Sequence, residues 1–252
     1  MSDPTSDPTS DLANDPILIT GVGRRAGLHL ARNFLRRGRR VVGTYRTERP
    51  ALDELRAAGA DLHGCDFYDD GAIGALATAL QGRYPALRAI IHNASDWLPD
   101  DGALPAAEVM RRMLQVHVSA PYQLNLALAP LLQACASKHS TEQADIVHIG
   151  DYVSGRGSSK HSAYAASKAA QDNLTLSFAA RLAPTVKVNS IAPALLLFHD
   201  DDVEDYRAKA RAKSLLQREG GLDELQRAVD FLLESRYVTG RILHLDGGRH
   251  LQ

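Results

Sequence analysis

The stretch Pro16-Ile17-Leu18-Ile19-Thr20-Gly21-Val22-Gly23-Arg24-Arg25-Ala26-Gly27 decides the fold. Its first half is a short unbroken apolar run, the pattern of a strand buried on both faces. Its second half is a glycine-rich turn. Beyond the turn the period changes: Leu28, Ala31, Phe34 and Leu35 mark one helical face, and Arg36, Arg37 and Gly38 are stop signals. A strand, a glycine turn and an amphipathic helix make the first half of a βαβ unit. Backbone N–H groups at such a helix start meet the positive end of its dipole, which suits a pyrophosphate. The plainer alternative is a tight turn that needs glycine for positive φ.

The alternation continues outward from this unit. Apolar runs predict further strands at 41–45, 62–66, 87–92, 145–149, 186–191 and 242–245. Helical patterns fall between them at 51–58, 69–84, 106–136, 163–182, 203–216 and 222–235, the long one reopening near Pro121. Strands separated by helices imply right-handed crossovers. The expectation is a single-domain α/β fold, a Rossmann-type doubly wound parallel sheet of about seven strands with helices on both faces. Ligands then bind beyond the carboxyl ends of the strands, at the topological switch point.

The 252 residues carry a net charge of −1, with 44% hydrophobic and 23% charged residues, which fits one globular domain. Residues 1–15 stand apart. SDPT occurs twice, Pro4 and Pro8 oppose helix, and four aspartates give a charge of −4, leaving +3 on residues 16–252. This segment reads as a disordered tail. It has neither the basic start nor the apolar run of a signal peptide. Near-neutrality argues against a nucleic-acid partner, and no apolar run reaches the roughly 18 residues of a membrane span. Cys65 and Cys135 form no ligand motif, and the ten histidines show no metal-binding spacing. The reading is a cytoplasmic protein with reduced thiols and no metal.

Arg46 follows the second strand, where a carboxylate ordinarily holds the ribose 2′-OH of NAD. A guanidinium there grips a 2′-phosphate, and Arg24 reaches the same region, so NADPH is the expected cofactor. The alternative is a solvated surface arginine.

With these residues in view, the chain resembles the short-chain dehydrogenase/reductases over residues 16–252. The resemblance rests on Thr20–Gly27, Asp66, His92-Asn93-Ala94-Ser95, Tyr164-x-x-x-Lys168, Val188–Pro193 and Asp246-Gly247-Gly248. It implies cofactor contacts from Gly21, Arg24, Arg25, Gly27, Arg46, Asp66, Asn93, Ala94 and Pro193, with Tyr164 and Lys168 both catalytic and cofactor-binding. Three positions depart from the family. Arg25 replaces a loop glycine, Asp151 stands where a serine is usual thirteen residues before the tyrosine, and His117 stands for the usual helix asparagine. Arg25 with Asp151 is similar to the pteridine-reductase branch. That likeness implies reduction of a dihydropterin, a small-molecule substrate touched by Arg25, Ser95, Trp97, Asp151 and Tyr164. A homotetramer is implied by resemblance alone.

Tyr164 and Lys168 share a helix face, and an ammonium together with the nicotinamide charge is expected to lower the tyrosine pKa. An ionised Asp151 cannot donate to a substrate carbonyl, which disfavours ketone reduction. A protonated Asp151 can donate toward the N5 of a dihydropterin while hydride goes to C6. Alternatively Asp151 only caps the following loop. Trp97 is a stacking platform for a flat pterin or, alternatively, a half-buried structural tryptophan. Residues 195–216 should cover the site as a lid. Two other functions stay open at this stage: a carbonyl reductase of the same fold, and a weakly catalytic NADPH-binding regulatory protein.

Overall fold

The computed structural model describes residues 15–138 and 143–252; the predicted tail, residues 1–14, lies outside them. Asp15 belongs to the fold. It is buried and accepts from Lys138 Nζ at 2.8 and 3.1 Å.

The strands are β1 (Ile17–Ile19), β2 (Val41–Tyr45), β3 (Asp61–Gly64), β4 (Ala89–His92), β5 (Ala144–Ile149), β6 (Val186–Pro193) and β7 (Ile242–Leu245). The helices are α1 (Arg25–Arg36), α2 (Pro50–Ala57), α3 (Asp70–Arg83), α4 (Ala106–Leu114), α5 (Ala120–Lys138), α6 (Ser162–Leu182), α7 (Glu204–Arg211) and α8 (Leu222–Glu234). All strand pairs are parallel, in the order β3-β2-β1-β4-β5-β6-β7. The chain winds outward through β1, β2 and β3, then crosses back to place β4 against β1. The switch point therefore lies between β1 and β4, as a doubly wound sheet requires.

Strand register explains why the apolar runs are unbroken. Val42, Leu18, Ile90, Ile146 and Val188 lie in one row across the sheet and face α3, α4, α5 and α6. Their neighbours Val41, Ile17 and Ala89 face the other way, toward α1, α2 and α8. That second row continues into Asp145 and Lys187. Asp145 is fully buried and held between Arg88 Nη1 at 2.5 Å and Lys187 Nζ at 2.7 Å. Alternate residues of one strand thus serve two cores, so neither face carries a polar stripe.

Three elements differ in detail from the expectation. The helical region 106–136 divides close to Pro121, as expected, but without a break. It widens into a π turn over Gln115–Ser119, where Ala120 N–H reaches the Gln115 carbonyl, and α5 runs on from there. The helix predicted at 203–216 ends at Arg211; beyond it Ser214 turns inward beside Gly247 and Leu216 N–H bonds the Gly247 carbonyl. The predicted β3 is also shorter, since Asp66 Oδ1 accepts from Tyr68 N–H and bends the chain away.

Candidate active site at the carboxyl edge of the sheet

The end of β1 and the end of β4 are tied together at the switch point. Thr20 Oγ1 accepts from the Asn93 and Ala94 N–H groups, each at 2.9 Å, and Asn93 Nδ2 donates to the Thr20 and Gly21 carbonyls. This knot sets the glycine loop. A Cβ on Gly27 would stand 2.2 Å from the Gly21 carbonyl oxygen, and Gly21 has φ +74° with Ala94 3.0 Å from its would-be Cβ. The sequence therefore uses glycine where backbone crowds backbone. The helix behind the loop begins without a side-chain cap and without an acidic residue in its first turn. Its positive end is uncompensated, and Arg24 and Arg25 are exposed beside it. The Arg24 side chain makes no hydrogen bond or ion pair with any described residue. This cradle fits a dinucleotide pyrophosphate on its own geometry.

Arg46 leaves the end of β2 and donates to Asp96 Oδ2 at 3.2 Å. Asp96 also accepts from Tyr68 Oη at 2.8 Å and from Trp97 N–H at 3.0 Å. Burial pushes the Asp96 carboxyl up, but the bonds from Tyr68, Trp97 and Arg46 prevail and hold it below the usual carboxylate range. Trp97 is 60% exposed, so it is not the half-buried structural tryptophan weighed as an alternative. One face of its ring lies on His161, centroids 3.9 Å apart and 11° from parallel. Asp66, exposed, marks the turn after β3, and Pro193, buried, closes β6.

Helix α6 carries Tyr164 and Lys168. Its first turn lacks a cap of its own, and Asp100 provides one from the Trp97 loop, accepting from Ser162 N–H and Oγ at 2.7 Å each. Tyr164 Oη donates to Asp151 Oδ2 at 2.7 Å, and Asp151 Oδ1 accepts from Val153 N–H at 2.9 Å. Asp151 is thus both a loop cap and the phenol's partner. Burial raises its carboxyl above the usual range, against the pull of Val153, Tyr164 and Lys168. Without the nicotinamide charge, the groups around the phenol act in the opposite direction to the expected lowering. Burial, with the Asp151 charge and hydrogen bond, holds the Tyr164 phenol well above 10; Lys168 Nζ lies over the Tyr164 ring at 5.8 Å and donates to the Ile149 carbonyl at 2.8 Å and Gln171 Oε1 at 3.3 Å. Burial lowers Lys168 itself to about 8.

The segment after β6 reaches back over the glycine loop. Arg25, itself at φ +49°, donates to the Leu197 carbonyl at 3.4 Å and lies 3.3 Å from His199 Nδ1. Behind this segment, Gly247 and Ser214 help line a cavity of about 90 Å³. Sequence reasoning gave no role to Asp96, Asp100, His161 or Ser167, which the structure sets beside the expected site residues. Asp96 and Ser167 had a local signal, each lying between two singled-out residues; Asp100 and His161 act through long-range contacts.

Comparison with known proteins agrees with this geometry. A short-chain dehydrogenase family model described as enoyl-(acyl carrier protein) reductase matches residues 21–250. The dihydromonapterin reductase of Klebsiella pneumoniae subsp. pneumoniae is 52% identical over 237 residues, 94% of this chain and 97% of that protein. Among solved structures, FolM alternative dihydrofolate reductase 1 from Brucella canis, complexed with NADP, is 27% identical with a TM-score of 0.82, covering 96% of each chain. The RhlG/NADP complex of Pseudomonas aeruginosa is 26% identical with a TM-score of 0.84, over 97% of this chain and 100% of that one.

Proposed function

The chain belongs to the short-chain dehydrogenase/reductase family, and within it we propose an NADPH-dependent reductase of 7,8-dihydromonapterin, with dihydrofolate as a second substrate. The hydrogen bond from Tyr164 Oη to the enclosed Asp151 carboxyl carries this reading. A ketone reductase needs a donor facing its carbonyl oxygen, and an ionised carboxylate is only an acceptor. A carboxyl whose burial favours the protonated form can instead pass a proton to a basic ring nitrogen. The dihydromonapterin reductase relative supports the substrate class.

When bound, NADPH supplies the hydride, destined for C6 of the pterin. In this reading Gly21, Gly27, Asn93, Ala94 and Pro193 shape its bed, Arg24 and Arg25 face the pyrophosphate, Asp66 the adenine side and Arg46 the 2′-phosphate. Trp97 offers its open ring face to the flat pterin, with His161 fixing the other face. Ser95 and Arg25 bond the pterin's polar edge. Asp151 and Tyr164 hold the proton delivered at N5. Lys168 keeps a positive charge beneath them and bonds the nicotinamide ribose.

The test is NADPH oxidation by the purified protein with dihydromonapterin, dihydrobiopterin, dihydrofolate and a panel of ketones. Turnover of dihydropterins without ketone turnover is expected. Turnover of ketones alone would establish the carbonyl-reductase alternative, and no NADPH loss with any of them would leave a binding protein. The same reading makes the protein a cytoplasmic homotetramer. Sedimentation equilibrium should give four times the 27.3 kDa chain mass, and a monomer would contradict it. Among the described residues no helix is long and apolar enough to cross a membrane.

A further inference from the structure

One buried titratable side chain beside Tyr164 has no part in this scheme. His117 sits in the π turn with its ring fully buried, edge-on to the Tyr164 ring at 5.3 Å. Both ring nitrogens are engaged: Nδ1 lies 2.8 Å from Ser167 Oγ, and Nε2 lies 2.7 Å from Ser95 Oγ.

Proton accounting fixes the direction of each bond. Ser167 donates its single hydroxyl proton to the Tyr164 carbonyl at 2.7 Å, so toward His117 it must accept. Nδ1 therefore carries a proton. Burial, with the Lys168 charge nearby, holds His117 well below the ordinary histidine range. The ring is neutral, its one proton is on Nδ1, and Nε2 accepts from Ser95. The other acceptors within reach of the Ser95 proton are the Asp96 carbonyl, at 3.3 Å weaker than the 2.7 Å contact, and the Tyr164 phenol oxygen. The shortest contact assigns the Ser95 proton to His117 Nε2, which leaves the Ser95 oxygen as an acceptor.

We propose that His117 is a positioning residue that fixes the polarity of Ser95, making its hydroxyl an acceptor for an N–H of the pterin ring. The proposal rests on the dihydropterin reading and deepens it. A freely rotating serine would bond either a donor or an acceptor edge, whereas this one favours a ligand that presents N–H groups. A ketone presents none. His117 does not relay protons, because charging it would put a second cation beside Lys168 in the interior. Two of the three departures from the family pattern thus sit in one assembly: Asp151 takes the serine's place, and His117 orients another serine.

Two measurements test this on the full-length protein. The first is ¹⁵N NMR of histidine-labelled wild type, with His117→Gln used to assign the signal. A neutral Nδ1–H ring that does not titrate between about pH 6 and about pH 9 is expected. An Nε2–H ring, or one that titrates in that range, overturns the proposal whatever the substrate. The second is kinetic. His117→Leu should raise the dihydropterin KM about tenfold, leave the NADPH KM within about twofold, and add nothing in a Ser95→Ala background. His117→Gln, which keeps one donor and one acceptor at similar spacing, should restore KM to within about threefold. Equal losses with and without Ser95, or equal effects on both KM values, overturn it. If His117→Leu does not fold, the wild-type NMR result decides. Absence of dihydropterin turnover in wild type refutes the functional reading instead, and the ring tautomer is still read without substrate.

Discussion

Replacing Asp151 with asparagine separates the two jobs its carboxyl performs. The amide oxygen can still accept from Val153 N–H, so the loop keeps its cap and avoids the roughly 1 kcal/mol cost of losing one. The amide N–H₂ group then takes the place of Oδ2, the atom that receives the Tyr164 proton at 2.7 Å. The phenol must turn and accept, and no carboxyl remains to carry the proton. Loss of a positioned general acid costs about 100- to 10,000-fold in rate, or about 3–5 kcal/mol of barrier. Stability should move the other way. Burial raises the folded pKa of Asp151 above its unfolded value. The carboxyl therefore favours folding while protonated, below the unfolded pKa, and that contribution is lost as pH rises through the folded pKa. The variant escapes this loss, so its Tm relative to wild type should improve as pH rises. The assay is a pH series of kcat with dihydropterin beside thermal melts. Wild-type kcat should fall as pH rises through the titration of the Asp151–Tyr164 pair, and the variant should lose that limb. A variant kcat within twofold of wild type with the same profile would refute the reasoning.

Trp97→Ala should raise the dihydropterin KM by about 5- to 30-fold, from about 1–2 kcal/mol of lost stacking, while the NADPH KM stays within about twofold; equal effects on both would return the residue to a structural role. Arg46→Ala should weaken NADPH by roughly 10- to 150-fold, the range for a hydrogen bond to a charged group, and leave NADH unchanged in parallel KM measurements. Asp145→Ala should cost about 3–5 kcal/mol in urea unfolding, because Arg88 and Lys187 are left as buried cations without their shared carboxylate.

What the sequence made legible follows from where the signals are local. Ile17-Leu18-Ile19 and Ile90-Ile91 are unbroken because each strand serves two cores, and that pattern can be read without knowing the partners. Val41–Tyr45 and Ile242–Leu245 have the expected bounds because turn residues flank them. The π turn was hidden, since the apolar pattern runs through it. The position of His117 could be read from the sequence, but its partners lie 22 and 50 residues away. Helical spacing puts Lys168 near the Tyr164 ring, but its bond to the Ile149 carbonyl, 19 residues away, could not be read from the sequence. Asp151 lies thirteen residues from Tyr164, and only the fold shows that cap and acid are one group.

The central claim is that this site delivers hydride to a pterin carbon while Asp151 and Tyr164 protonate the adjacent nitrogen. It is tested most directly by turnover with NADPH deuterated at the transferable position, followed by NMR of the tetrahydropterin. Deuterium bonded to C6, with a solvent-exchangeable proton on N5, is the predicted result. Deuterium at any other carbon, or a product without deuterium, would contradict it.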